Sequence, residues 1–127
     1  MSEEKSARIL IVDRQLTTLS SLDSLLSRLG YRVTTCCSAS EALEAVAGHK
    51  FDLVVAGRVG PERDGAALIS RLKAISPETS VLLLVEPGDE CVVADAITAG
   101  ADGLLRRSYS DSQMIQRVER LIHVVQA

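Results

Sequence analysis

The sequence has little of what membrane or exported proteins require. No apolar run approaches the roughly 18 residues needed to cross a bilayer. The charged start, residues 1–5, lacks the apolar stretch of a signal peptide. We therefore expect a cytoplasmic protein that has no membrane partner.

Cysteine and histidine are also scarce, and their spacing suits neither a disulfide framework nor a metal site. Cys36 and Cys37 are adjacent and poorly placed to pair with each other, and Cys91 stands alone without a CxxC motif. The histidines are His49 and His123. We expect the thiols to be structural or incidental, with a redox or metal role as the alternative.

Long blocks of like charge are absent as well. The 127 residues include 17 acidic and 14 basic groups, for a net charge of −3, and no stretch of five or six like charges occurs. This pattern argues against direct binding to nucleic acid or to an anionic membrane. With 46% apolar and 24% charged residues, the chain can form one domain with its own core.

Short apolar runs predict strands, most of them buried on both faces. These runs cover residues 9–12, 31–36, 53–56, 81–85 and 103–105. Between them, apolar residues recur at steps of three and four, as in helices. The inward face of the first helix is predicted at Leu16, Leu19, Leu22, Leu25, Leu26 and Leu29. Those of the third to fifth helices are predicted at Leu68, Ile69, Leu72, Val93, Ala96, Ile97, Met114, Ile115, Val118, Leu121, Ile122 and Val125.

Start and stop signals frame these helices. Ser38 with Glu41, and Ser110 with Gln113, are capping-box pairs. The further predicted N-caps are Asp64 and Asp89, and the predicted helix ends are Gly30, Gly48 and Gly100.

The regular alternation of strand and helix predicts an α/β fold, a parallel sheet with helices on both faces. In such folds, ligands and chemistry lie at the carboxyl ends of the strands. Function is therefore expected at Asp13, Gly57, Val85 and the stretch after Leu105.

Several segments, in this order and spacing, resemble the receiver domain of two-component response regulators. They are residues 8–13, 31–35, 40–43 and 51–55, Pro61 with residues 64–65, and residues 99–102. The resemblance covers essentially the whole chain. It implies a five-stranded flavodoxin-like sheet of order 2-1-3-4-5 in a single domain over residues 1–127, either a stand-alone adaptor or a receiver from a longer regulator.

The resemblance also implies a site, and most of it is replaced here. Receivers use an acidic pair that helps hold magnesium, an aspartate that accepts a phosphoryl group, a hydroxyl residue and a lysine. Carried over, these positions are Asp13 with Arg14, then Gly57, Val85 and Arg107. Glycine has no side chain to phosphorylate, and two guanidiniums oppose a divalent cation. We predict no phosphoacceptor, catalytic residue, metal or cofactor.

The two arginines of this remnant pocket allow three interpretations. Arg14 and Arg107 are drifted surface groups that face solvent or pair with Asp13, Asp64 or Glu86. Alternatively, one of them bridges Asp13 and Glu86, replacing the phosphate and magnesium contacts and fixing the loops. In the third interpretation, a cationic pocket binds an anion or a small ligand.

Receivers usually contact their output through the fourth helix, fifth strand and fifth helix. The switch aromatic of that strand falls on Leu104, and apolar residues open the fourth helix. The candidate interface is Cys91, Val92, Leu104, Arg106 and Tyr109. The alternative places the helix-start residues beneath the preceding loop.

These observations predict a phosphorylation-independent, non-enzymatic signalling module that acts through protein–protein interaction. The expected partner is another protein, an attached output domain, or a second copy bound through the face from the fourth to the fifth helix. The alternative function is an anion or small-ligand sensor.

Overall fold

The computed structural model describes residues 7–59, 65–88 and 90–126, and only the backbone of 90–92 and 123–126. Five strands alternate with five helices. They are β1 (Arg8–Val12), α1 (Leu16–Arg28), β2 (Arg32–Cys36), α2 (Ala39–Gly48), β3 (Leu53–Ala56), α3 (Gly65–Ile75), β4 (Ser80–Val85), α4 (Glu90–Ala99), β5 (Gly103–Arg106) and α5 (Asp111–Gln126).

All neighbouring strands are parallel, and their order is β2-β1-β3-β4-β5. The predicted fold class and strand order are therefore confirmed. Val12 lies opposite Ala56, and Val85 lies opposite Arg106. This register brings the residues that follow β1, β3, β4 and β5 to one edge of the sheet, where the site was expected.

The sheet separates two cores, because alternate strand residues point to opposite faces. One core joins the sheet to α1 and α5 and contains Ile9, Ile11, Leu53, Val55, Leu82, Leu84 and Leu105 from the strands. The other joins the sheet to α2, α3 and α4 and contains Leu10, Val12, Val54, Ala56, Val81 and Leu83. The central strands are thus buried on both faces, as their apolar runs predicted.

Three predicted inward positions are wrong. Leu16 is 72% exposed and Leu29 is 46% exposed, because they lie at the two ends of α1, where the helix no longer covers the sheet. Ile97 is 58% exposed, since Ala96 is fully buried and the next residue is turned about 100° around the helix. The side chain of Val125 lies outside the described residues.

Both predicted capping boxes form, the first in an altered version. The Gln113 amide donates to Ser110 Oγ at 3.2 Å, and the Ser110 amide donates to Gln113 Oε1 at 2.9 Å. At α2, the Glu41 amide donates to Ser38 Oγ at 3.2 Å, but the Glu41 carboxylate accepts from the amide of Cys37, one residue earlier than the motif predicts.

The glycine signals are also borne out at two helix ends. Gly30 follows α1 with φ +97°, and Gly100 follows α4 with φ +116°, a region that favours glycine. Gly48 is the last residue of α2. Pro61 and the predicted N-caps Asp64 and Asp89 lie outside the described residues. No helix in the described ranges is long and apolar enough to span a membrane.

Candidate functional site

The carboxyl edge of the sheet brings four of the five predicted pocket residues together. Asp13, Gly57 and Arg107 directly follow β1, β3 and β5, and Val85 ends β4. Backbone bonds hold these ends side by side: the Gly57 amide donates to Val12 O at 2.8 Å, and the Arg107 amide donates to Val85 O at 2.9 Å. These four predicted pocket residues therefore lie together at one edge of the sheet.

Asp13 is fully buried, and both of its carboxylate oxygens accept hydrogen bonds. Oδ1 accepts from the Gln15 amide at 2.8 Å. Oδ2 accepts from the Arg58 amide at 3.3 Å and from Nη2 of Arg107. A buried polar group without such partners would be costly, so these contacts allow the Asp13 carboxylate to be buried.

Arg107 is the centre of the site, and its side chain is only 13% exposed. Nη2 pairs with Asp13, Nε donates to Glu86 Oε2 at 2.6 Å, and Nη1 donates to Thr18 Oγ1 at 2.9 Å. Burial alone would lower the pKa of Arg107, but the two carboxylates outweigh it and raise that pKa. We call these four residues the Arg107 clamp. It ties the end of β5 to β1, β4 and α1.

The clamp occupies the space above Gly57. A Cβ atom at Gly57 would lie 1.9 Å from Asp13 Oδ2 and 3.0 Å from Arg107 Nη2. Both distances are shorter than a carbon atom tolerates at ordinary van der Waals contact. Any side chain at this position therefore requires the ion pair to move, and glycine is the residue that lets the pair form.

Arg14, the fifth predicted pocket residue, does not join the clamp. It is exposed, and no carboxylate pairs with it in the part of the chain that the structure describes. Its backbone amide donates to Arg58 O at 2.7 Å. The pocket predicted to be cationic thus holds one guanidinium between two carboxylates, those of Asp13 and Glu86.

Thr18 is the clamp residue that sequence reasoning missed. Two threonines, Thr17 and Thr18, lie in the first turn of α1, and only the orientation of the helix turns Thr18 toward Arg107. Glu86 was predicted both as a possible partner of a drifted arginine and as one end of a bridge to Asp13, and the structure has Arg107 in contact with both carboxylates. Its place directly after a strand was the available signal.

The residues at this edge do not fit the magnesium ion that the resemblance implies. Hard cations require several free oxygen ligands. Here the oxygens of Asp13 accept from backbone amides and a guanidinium, and Gly57 supplies no ligand. Within the described residues, no cluster of three or more histidine, cysteine, aspartate or glutamate side chains is arranged to hold a metal ion.

A second feature, the α4–β5 groove, lies beside the clamp. Its cavity measures about 500 Å³ and is lined, among the described residues, by Val85, Glu86, Pro87, Val93, Leu104, Leu105, Arg106 and Ser108. The predicted interface residues Leu104 and Arg106 thus share one surface.

Among the described residues, the predicted interface residue Tyr109 does not line this groove. Tyr109 packs against the core on the α1 and α5 side, whereas Leu104 packs on the opposite side of the sheet. Burial raises the pKa of Tyr109. The side chains of Cys91 and Val92 lie outside the described residues.

The chain is similar in sequence to known proteins. The profile of the response regulator receiver domain matches residues 9–119. The transcriptional activator protein PfeR of Pseudomonas aeruginosa is 33% identical over 120 residues, which cover 94% of this chain and 39% of PfeR. The transcriptional regulatory protein FixJ of Bradyrhizobium diazoefficiens is 29% identical over 114 residues, covering 90% and 56%. The chain therefore spans only part of these relatives.

Solved structures agree with the sequence matches. The signal receiver domain of an HD domain-containing protein from Pseudomonas fluorescens superposes with a TM-score of 0.89 at 29% identity, covering 95% of this chain and 90% of that one. NtrX from Brucella abortus, in complex with ADP, gives a TM-score of 0.88 at 26% identity, covering 95% and 28%. With its parallel sheet, its strand-end site and these matches, the chain belongs to the response regulator receiver domain family.

Proposed function

We propose that this receiver domain signals through protein–protein interaction without being phosphorylated. The observation that carries the proposal is at Gly57. Glycine stands where receivers have the phosphoacceptor aspartate, and the Asp13–Arg107 ion pair fills the space that an acceptor side chain would need. The position therefore offers neither a nucleophile nor room for one.

The neighbouring positions support the same proposal. Arg14 replaces a metal-binding acid, and Val85 replaces the hydroxyl that would bond a phosphoryl oxygen. Arg107 replaces the lysine, and its guanidinium is already engaged by two carboxylates and a hydroxyl. Phosphoryl transfer depends on positioned charges of these kinds, and the described residues supply none of them in a usable form.

The clamp offers a physical substitute for the phosphate contacts. In receivers, the phosphoryl group is contacted by the residues after the fourth and fifth strands, and here Glu86 and Arg107 join those same strand ends directly. A planar guanidinium that bonds several acceptors at once holds them in fixed geometry. We infer that the carboxyl edge of the sheet stays in one conformation whether or not phospho-donors are present.

The proposed partners are a second protein, an attached output domain, or a second copy of the chain. PfeR and FixJ are named as transcriptional regulators, and this chain matches only part of each. We place the contact surface on the face from α4 to α5, around Leu104 and Arg106. The domain acts in the cytoplasm as a non-enzymatic module and leaves contact with nucleic acid to its partner.

The contacts weigh against the alternative, an anion sensor at the strand ends. Each nitrogen of the Arg107 guanidinium already donates to a clamp residue, and Arg14 lies outside the clamp. Because the Arg107 side chain is only 13% exposed, an entering anion would compete with Asp13 and Glu86 for the guanidinium. A thermal-shift series with inorganic phosphate tests this, because a concentration-dependent rise in Tm would favour the sensor.

The experiment on phosphorylation is an amide NMR titration with magnesium and beryllofluoride, a phosphoryl mimic. We expect no shifts beyond salt effects at Asp13, Gly57 or Arg107, because the acceptor is absent. The matched positive control is the triple variant Gly57→Asp, Arg14→Asp, Arg107→Lys, which restores the charges of the receiver site. Specific shifts of the unaltered domain, or a phosphorylated species after treatment with acetyl phosphate, would overturn the proposal.

A further inference from the structure

The α4–β5 groove has the size and lining of a small-molecule site. Its volume of about 500 Å³ falls in the range of ligand pockets, roughly 300 to 1,000 Å³. Val85, Pro87, Val93 and Leu104 form an apolar wall. Such a surface gains stability when an apolar group replaces the water on it.

Among the described residues that line the groove, the charge available to a ligand is positive. Arg106 is exposed and pairs with no carboxylate within the described ranges. Glu86, in the same wall, already accepts from Arg107 at 2.6 Å. A guanidinium binds a carboxylate through two parallel hydrogen bonds, which gives direction as well as affinity. The complementary ligand is therefore an anion with an apolar body.

We propose that the α4–β5 groove binds a small amphipathic carboxylate. Its apolar body lies on Val85, Val93 and Leu104, and its carboxylate pairs with Arg106. This site differs from the strand-end pocket of the anion-sensor alternative. It also goes beyond phosphorylation-independent signalling, because it gives the domain an input of its own.

Glu86 couples this site to the Arg107 clamp. The same residue lines the groove and binds Arg107. A second carboxylate entering near Glu86 changes the electrostatic field at the Glu86–Arg107 ion pair. Coupling between two sites is reciprocal. If ligand binding changes the stability of the clamp, then a change in the clamp alters the affinity of the groove for the ligand by the same free energy.

The test is a methyl and amide NMR titration of the full chain with 2-naphthylacetate, and with 2-naphthylacetamide as its neutral match. We expect shifts at the methyl groups of Val93 and Leu104 and a Kd in the millimolar range, as the size of the probe implies. The acid should bind about tenfold more tightly than the amide, which is the value of one charged hydrogen-bonded contact. Equal affinity for the two probes would overturn the proposal.

Variants separate the groove from general surface charge. Arg106→Gln should remove the preference for the acid, whereas Arg58→Gln, a change of an exposed arginine at the same sheet edge, should keep it. Leu104→Trp should fill the groove and abolish binding, and Val93→Trp provides the same test from α4. Binding that survives in whichever of these filled variants folds contradicts the site.

The coupling has its own measurement, the side-chain Nε–Hε resonance of Arg107. It should move during titration with the acid in the unaltered domain and in Arg58→Gln, and it should stay still with the amide. An unmoved resonance at saturating acid refutes the coupling. Since this experiment involves no phosphoryl mimic, its failure leaves the result of the beryllofluoride titration unaffected.

Discussion

At the scale of single residues, Gly57 and Asp13 depend on each other. The Asp13 carboxylate and the Arg107 guanidinium occupy the volume that a side chain at position 57 would fill. The absence of an acceptor and the presence of the ion pair are thus one structural fact. The sequence shows the first, but the second depends on where two side chains reach, which no local pattern encodes.

Gly57→Ala is therefore expected to destabilise the domain. The added methyl group forces the clamp to shift, and overpacking of this kind costs about 1–3 kcal/mol. Gly48→Ala is the matched control. A Cβ atom added at Gly48 would meet nothing within 4 Å, and the substitution replaces a glycine of α2. Urea denaturation should show a loss for Gly57→Ala and no loss for Gly48→Ala. Equal stability of the two variants would contradict the packing argument.

Cys36 gives a prediction that depends on pH. Burial, with Glu41 nearby, raises the pKa of its thiol to about 11. At pH 8 its thiolate, the reactive form, is about a hundredfold scarcer than that of an unperturbed cysteine. In the variant Cys37→Ser with Cys91→Ser, alkylation by iodoacetamide should be correspondingly slow. Alkylation of Cys36 as fast as that of a free cysteine would contradict it.

The same shift has a consequence for folding. In the unfolded chain the thiol of Cys36 has a pKa near 9.0, whereas in the folded domain its pKa is about 11. Between these values the unfolded state binds fewer protons, so the free energy of unfolding falls as pH rises. A pH series of urea midpoints on the Cys37→Ser, Cys91→Ser variant, compared with the triple serine variant, isolates this contribution.

At the scale of elements, the apolar runs and capping signals were sufficient to predict all ten elements. A strand that is buried on both faces has a continuous apolar run in the sequence, which can be recognised without knowledge of the rest of the fold. The predicted buried face of α1 wrongly included Leu16 and Leu29, because the leucine spacing continues past the point where the helix covers the sheet. Strand ends predicted the location of the site, but Thr18 on α1 required the packed structure.

The cap of α5 provides the prediction at this scale. Ser110 and Gln113 exchange two hydrogen bonds that satisfy amides at the start of the helix. Ser110→Ala should cost about 1 kcal/mol in the free energy of unfolding. Ser112→Ala, an exposed position in the same first turn, is the control and should change stability far less. Equal effects of the two substitutions would show that the observed cap contributes nothing.

At the scale of the whole molecule, the clamp is a charged cross-link among four elements, β1, β4, β5 and α1. A partly exposed ion pair contributes little, but a buried and hydrogen-bonded pair is costly to break. Asp13 has no exposed surface, and the Arg107 side chain has 13%. The clamp belongs to the second kind.

Arg107→Ala should accordingly lower the free energy of unfolding by about 3–5 kcal/mol, because it leaves the Asp13 carboxylate buried without its cation. Hydrogen exchange should accelerate at the amides of Gln15 and Arg58, which donate to that carboxylate. Arg106→Ala, a change of the exposed residue directly before Arg107, should leave the free energy of unfolding nearly unchanged. A cost below about 1 kcal/mol for Arg107→Ala would mean that the pair merely balances its own desolvation.

The space above Gly57 finally has a meaning for descent. A single substitution that returned aspartate to position 57 would place its side chain against the Asp13–Arg107 pair and bring a second carboxylate to a site without magnesium ligands. Gly57→Asp alone is thus expected to be harmful unless the ion pair changes with it. Position 57 and the clamp are therefore constrained to change together in evolution.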